Sequence, residues 1–373
     1  MKLSYIVEVD PLIHSGIIKK INNQIHIWQK QGHEVQTLIL WPKAATKKTT
    51  RYIDGQFISN RFLDGLPQGF LNTYVTKTIG INKVQKALRD FKPDVVYIRQ
   101  GIWYPGLTSV LSRFKTVMEL NTVDFLEMEF YSGLKKKVYL WGKKRLLEAI
   151  SGLVAVSPDI LQHYKAHSIP QKVVSNGIDL DKFDVLPKVT VQQNVPVNLV
   201  FVGSENMYWH GLDKILKLAV MLPEYQFNIV GYDRKNIEMP VTDNVTFYGW
   251  LNSDQLTEVY KKSNIGIGSF GNHYVGKNTD STLKVLEYLA YGLPVIMGHR
   301  DVDFGDSDFV FKATGLDHEF LPLTTIKTFI ETNKNRRVTH PEIHQVDSSV
   351  KERERLTFFE MIATGVEQTS NSF

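Results

Sequence analysis

Short runs of apolar and β-branched residues alternate with longer stretches of helical periodicity along most of the chain. In the first half the runs fall at Leu3–Val9, Val35–Leu40, Val95–Ile98, Thr116–Leu120 and Leu153–Val156. Helical patterns fill the intervals, at Gly16–Gln31, Val75–Phe91, Tyr104–Phe114, Lys136–Ile150 and Pro158–His167. The second half repeats the scheme, with strands expected at Val197–Val202, Phe227–Val230, Asn244–Phe247 and Ile265–Ser269, and helices at Leu212–Met221, Asp254–Lys262 and Val346–Ile362. Such an alternation predicts parallel sheets covered by helices on both faces, the doubly wound α/β class. Ligands bind such sheets in the loops beyond the carboxyl ends of the strands.

At 373 residues the chain suits two domains. The segment between Pro187 and Pro196 reads as a polar linker, which gives a first domain over 1–180 and a second over 195–345. An apolar fraction of 43% leaves no doubt that both can build cores. With no cysteine, disulfides, thiolate zinc sites and thiol catalysis are excluded, and a cytoplasmic chain is expected. No run approaches the roughly 20 apolar residues of a membrane span, and the opening MKLSYIVEVD reads as a strand, not a signal peptide. The net charge of +5 conceals an asymmetry, because residues 1–180 alone carry 25 Lys+Arg against 14 Asp+Glu. Only the first half is therefore expected to meet an anionic partner.

The most informative stretch is Gly276 to Ile296, GKNTDSTLKVLEYLAYGLPVI. A polar loop opens a helical run that a Gly-Leu-Pro turn ends. Leu283, Leu286 and Ala290 recur at helical spacing, and Lys284 and Glu287 are neighbours one turn apart. Asp280 or Ser281 is expected as N-cap. A small-residue loop at a helix start offers free N–H groups and a positive dipole end to a phosphate. The lysine and carboxylate one turn in could then hold an anion and a sugar hydroxyl together.

The order polar loop, then L-K-x-x-E-Y-x-A-x-G-x-P-V, resembles the nucleotide-sugar site of retaining glycosyltransferases of the GT-B fold, family four in particular. The resemblance is strong over 170–300 and fainter before. It implies two Rossmann-like domains facing each other across a cleft, with a final helix, 346–373, packing back on the first. It places Glu287 on the donor ribose and the amides around Thr282 and Leu283 on the diphosphate.

Three further loops fit the same resemblance. After the first strand of the second domain comes Gly203-Ser204, and several residues later His210-Gly211. The family usually has Gly-Arg and Lys-Gly there, so His210 and Lys284 are the candidates to replace two phosphate cations. Gly249-Trp250-Leu251 matches the loop whose backbone pairs with the base. In the first domain Gly16 would approach donor and acceptor, Lys19 follows it, and Asn121, followed by Asp124, stands where the family commonly has a histidine that contacts the donor sugar. Ser175-Asn176-Gly177-Ile178-Asp179 resembles the N-G-[IV]-D junction between domains.

One departure bears on chemistry. The family pattern is Glu, seven residues, Glu; counting back from Glu287 gives Thr279, with Asp280 adjacent. Asp280, Thr279, Lys284 and His210 are thus the expected catalytic set, with no metal needed, because no D-x-D appears near a predicted strand end and no His/carboxylate cluster has ligand spacing. The resemblance implies transfer of a hexose from a nucleotide sugar, a UDP-sugar first and a GDP-sugar second, with no other cofactor. The acceptor would be a glycan, a glycolipid or a protein-linked sugar in surface-polysaccharide synthesis. A scaffold that has lost donor chemistry and a nucleotide-sugar epimerase or hydrolase are the alternatives. A dinucleotide dehydrogenase is disfavoured, since no G-x-G-x-x-G follows the first strand. Lys135–Arg145 mixes six basic residues with Tyr139, Leu140 and Trp141, which suggests an anionic membrane surface, whereas no nucleic-acid motif accompanies the charge. A homo-oligomer or a partner glycosyltransferase stays open.

Overall fold

The structure is a computed structural model that describes residues 1–12, 15–41, 52–58, 69–123, 133–188, 195–305 and 307–365. Two compact units divide the chain: Met1–Val156, Ile160–Val174 and Ser348–Phe373 form one, and Ser157–Asp159 with Ser175–Asp347 the other. The main boundary falls between Val174 and Ser175, so the 175–179 junction belongs to the second unit.

In the first unit the strands are β1 (Lys2–Val7), β2 (Glu34–Leu40), β3 (Gln56–Ile58), β4 (Val95–Arg99), β5 (Thr116–Leu120), β6 (Gly152–Ala155) and β7 (Gln171–Val173). They form one parallel sheet in the order β3-β2-β1-β4-β5-β6-β7. The connecting helices are α1 (Gly16–Lys30), α2 (Phe70–Phe91), α3 (Leu107–Leu111), α4 (Gly133–Ala149) and α5 (Pro158–Gln162). Helices α3 and α5 are shorter than their periodicity suggests. Helix α1 starts where the Ser15 hydroxyl accepts the Ile18 N–H at 3.3 Å, and it buries Ile18, Ile21, Ile27 and Trp28.

The last described helix, Ser348–Thr364, is integral to this unit. It buries Leu356, Phe358, Phe359 and Ile362, each worth about 1.5–3 kcal/mol. Two buried donors in this layer share one carboxylate oxygen: Trp28 Nε1 donates to Glu352 Oε2 at 2.8 Å, and Arg355 Nε to the same oxygen at 3.0 Å. Arg355, with no exposed surface, also reaches the Tyr97 hydroxyl at 3.3 Å.

The second unit repeats the architecture. Strands β8 (Asn198–Val202), β9 (Gln226–Val230), β10 (Val245–Phe247), β11 (Ile265–Ile267), β13 (Val295–Met297) and β15 (Val310–Lys312) form a parallel sheet ordered β10-β9-β8-β11-β13-β15. Thr279–Asp280, β12, pairs separately with Arg300–Asp301, β14. The helices are α6 (Leu212–Met221), α7 (Ser253–Lys262), α8 (Leu283–Ala290) and α9 (Leu323–Asn333), followed by the Ser348–Thr364 helix as α10. Each sheet reverses its strand order once, beside β1/β4 and beside β8/β11. In open α/β sheets that reversal opens a ligand crevice at the carboxyl edge.

Candidate functional site

At the β8/β11 reversal the loops after β8, β9 and β10 close on one another through glycines. Gly231 has φ +87°, and a Cβ there would fall on the Gly203 carbonyl oxygen. Its N–H donates to the Gly249 carbonyl at 2.7 Å. A Cβ on Gly203 would lie 2.6 Å from Tyr232 and 3.0 Å from His210 Nδ1. Gly203 therefore lets the ring of His210 pack against the end of β8.

The imidazole of His210 is fixed by its neighbours. Ser204 donates its backbone N–H to Nδ1 at 3.3 Å, and the Tyr232 hydroxyl lies 3.0 Å from the same nitrogen. A backbone N–H can only donate, so Nδ1 is an acceptor and the ring proton sits on Nε2. Burial, then the nearby charge of Lys284, lowers the imidazole to about 3. His210 is therefore a neutral N–H donor at pH 7, not the substitute cation expected from its position.

Helix α8 supplies the cation. Lys284 Nζ is buried, lies 4.5 Å from the centroid of the Phe201 ring, and has no hydrogen-bond partner. Burial alone pulls this amine down to about 7. Lys284 and Glu287, neighbours one turn apart, do not pair with each other; Glu287 Oε1 lies 3.5 Å from the Tyr260 hydroxyl. Thr282, not Asp280 or Ser281, is the N-cap residue, yet its side chain makes no capping bond and Oγ1 is buried without a partner. An uncapped helix start, a lone ammonium and an oriented imidazole N–H stand at one crevice. These are the components of an anion site.

Asp280 is held by its neighbours. Both carboxylate oxygens are engaged: Oδ2 accepts from Lys277 Nζ at 2.8 Å and Asn272 Nδ2 at 3.0 Å, and Oδ1 from the Ser281 N–H at 3.0 Å. Burial works to raise it, but Lys277 and the protons it accepts hold it below the usual carboxylate range. These bonds fix the loop before α8. Thr279 is half-buried in β12, opposite Arg300. Leu283 and Leu251 are half-buried, and Gly249 (φ +64°) precedes Trp250, which is 83% exposed.

In the first unit Gly16 opens α1 and Lys19 points to solvent. The residue beside it turns inward: Lys20 Nζ reaches Glu119 Oε1 at 2.7 Å and Asn121 Oδ1 at 3.1 Å. Burial lowers Lys20 to about 8, against the pull of Glu119. Lys20, rather than Lys19, shares a site with Asn121. Asp124 lies outside the described residues.

Tyr232 lies in the loop 231–234, which by its place after β9 is expected to border the base or the diphosphate, whereas neither Phe201 nor His299 is expected at the site; His299 Nδ1 faces the Ser269 carbonyl at 3.1 Å while Nε2 is buried without a partner. Phe201 belongs to an apolar strand, and nothing local distinguishes a ring under an ammonium from a core ring. Among the described residues, no group of three or more His, Cys, Asp or Glu comes together as a metal site.

Comparison with known proteins gives this geometry a context. The fold is shared with sucrose-phosphate synthase from Thermosynechococcus elongatus, at 15% identity over 98% of this chain and 96% of that one, TM-score 0.64. A glycosyltransferase from Rickettsia africae aligns at 14% identity over 98% and 99%, TM-score 0.64. Anabaena HepE, solved in complex with UDP and glucose, aligns at 13% over 96% and 99%, TM-score 0.61. No curated protein matched the sequence. Residues 22–182 match the family described as Glycosyltransferase Family 4. Residues 22–182 are thus similar to a Glycosyltransferase Family 4 domain, and the two parallel α/β units have the GT-B fold.

Proposed function

We infer that the protein transfers a hexose from a nucleotide sugar to a glycan, glycolipid or protein-linked acceptor, with retention at the anomeric carbon and without a metal. One observation carries the reading: the buried ammonium of Lys284 has no partner of its own beside the uncapped start of α8. An isolated buried cation is costly unless an anion completes it. A donor diphosphate is an anion of the right kind at this crevice; a UDP-sugar comes first, a choice that the UDP and glucose held by HepE support, and a GDP-sugar second.

In this scheme Lys284 carries the charge and the His210 Nε2–H orients the leaving diphosphate. The amides of Gly203, Ser204, Thr282 and Leu283 supply further donors aimed at developing negative charge. Glu287 binds the ribose. The leaving phosphate accepts the acceptor's proton, so no separate carboxylate base is required, in keeping with an Asp280 whose oxygens are already engaged. The engaged Asp280 also favours, as second reading, a partner subunit that binds nucleotide without turning it over.

The test is a thermal-shift panel of UDP, GDP, ADP, CMP and their sugars on the wild type and Glu287→Ala. Stabilisation by one nucleotide, lost in the variant, supports the donor site and names the base. No response to any nucleotide overturns it. A response without consumption of sugar nucleotide, with or without acceptors, selects the partner-subunit reading.

A further inference from the structure

Helix α4 has two unlike faces. Tyr139, Gly142, Leu146, Leu147 and Ala149 are buried, and Gly142 lies against Trp103 so closely that no side chain would fit there. The opposite face exposes Lys137, Leu140, Trp141, Lys144, Arg145 and Glu148. At 100° per residue these occupy one arc of about 140°. Leu140 is 48% and Trp141 55% exposed, large values for apolar side chains with cations on either side. The Trp141 ring is held edge-on to Trp103 at 4.6 Å, and the Arg145 guanidinium lies 4.0 Å from its centroid. The ring is thus presented by the helix in a fixed pose, not folded back into the core.

We propose that this face docks the first unit on an anionic lipid surface, with Trp141 and Leu140 entering the headgroup boundary and Lys137, Lys144 and Arg145 on lipid phosphates. The argument is charge complementarity combined with apolar exposure. The three cations outnumber the single Glu148, and residues 1–180 as a whole carry 25 basic against 14 acidic residues. A polyanion in water would be served by the cations alone and gives no reason to expose Leu140. A lipid boundary accommodates both. No described helix is long and apolar enough to cross a membrane, so contact of this kind would be peripheral. The inference is independent of the donor site, which lies in the other unit.

Sedimentation of the full chain with phosphatidylcholine vesicles, with and without phosphatidylglycerol, tests it. Binding is expected only with the anionic lipid, and it should weaken with added salt. Each cation removed should cost about fivefold, so Lys137→Ser with Lys144→Ser should weaken binding roughly 25-fold. Leu140→Ser and Trp141→Ser should each weaken it at unchanged salt slope. Leu140→Ser alone keeps the test decisive if loss of the Trp141 ring disturbs Trp103. Absence of wild-type binding to anionic vesicles overturns the proposal. So does vesicle binding that ignores Leu140→Ser and Trp141→Ser while heparin binds equally well, since the face would then be a general polyanion surface.

Discussion

Replacing Lys284 by Met should make the protein more stable and unable to bind its nucleotide. Lysine ordinarily titrates near 10.5, and burial in the crevice lowers Lys284 to about 7. A difference of that size corresponds to about 5 kcal/mol against the folded state wherever both states are protonated. Between pH 7 and 10.5 the unfolded chain binds the extra proton, so stability rises with pH through that window and the penalty has vanished by its upper end. Methionine has similar length and no charge to desolvate. Relaxation and water entry recover part of the penalty in the wild type, so the expected gain at pH 7 is about 2–4 kcal/mol. In calorimetry each kcal/mol should raise Tm by roughly 2–4 °C for a unit of this size. The advantage should shrink steadily as pH approaches 10, and UDP should raise Tm in the wild type only. A Lys284→Met protein that is no more stable at pH 7, or that still responds to UDP, would refute the reasoning.

Four other outcomes follow from the same geometry. Asp280→Ala strands the buried Lys277 ammonium and should cost about 3–5 kcal/mol, measured by urea unfolding; where the variant is folded, nucleotide affinity should change little. Gly203→Ala drives a methyl into Tyr232 and the His210 ring, and should cost about 1–3 kcal/mol and weaken nucleotide binding, read by calorimetric titration. His210→Asn, which keeps an N–H donor and never carries charge, should retain more turnover than His210→Ala, and turnover of the wild type should show no inflection from this imidazole between pH 5 and 8. Glu119→Gln in the first unit leaves the buried Lys20 without its counter-charge and should lower Tm, more at pH 6 than at pH 9, where Lys20 is already neutral.

Much of the fold was legible because it depends on local pattern. Apolar runs such as Leu153–Val156 are too short for helices, and their alternation with 3.6-residue periodicity fixes the α/β class. The run from Leu283 to Ala290 was legible as a helix for the same reason, and so was the small-residue loop before it. The ends of α3 and α5 were less so, because periodicity does not record where a helix stops.

What the sequence determined by itself, then, is which residue types stand near a strand end or a helix start: Gly203 after β8, His210 before α6, Lys284 one residue inside α8. Tertiary structure decided what each of them is. Whether Lys284 pairs with Glu287 or stands alone over Phe201 depends on rotamers and on a strand distant in sequence. Asp280 is anchored because Lys277 and Asn272 converge on it. Lys20 turns inward and Lys19 does not because α1 sets their faces 100° apart over Glu119. His210 is neutral because the surroundings strip its water. Charge state and partner are properties of an environment assembled from several strands at once, and one-dimensional spacing does not contain them.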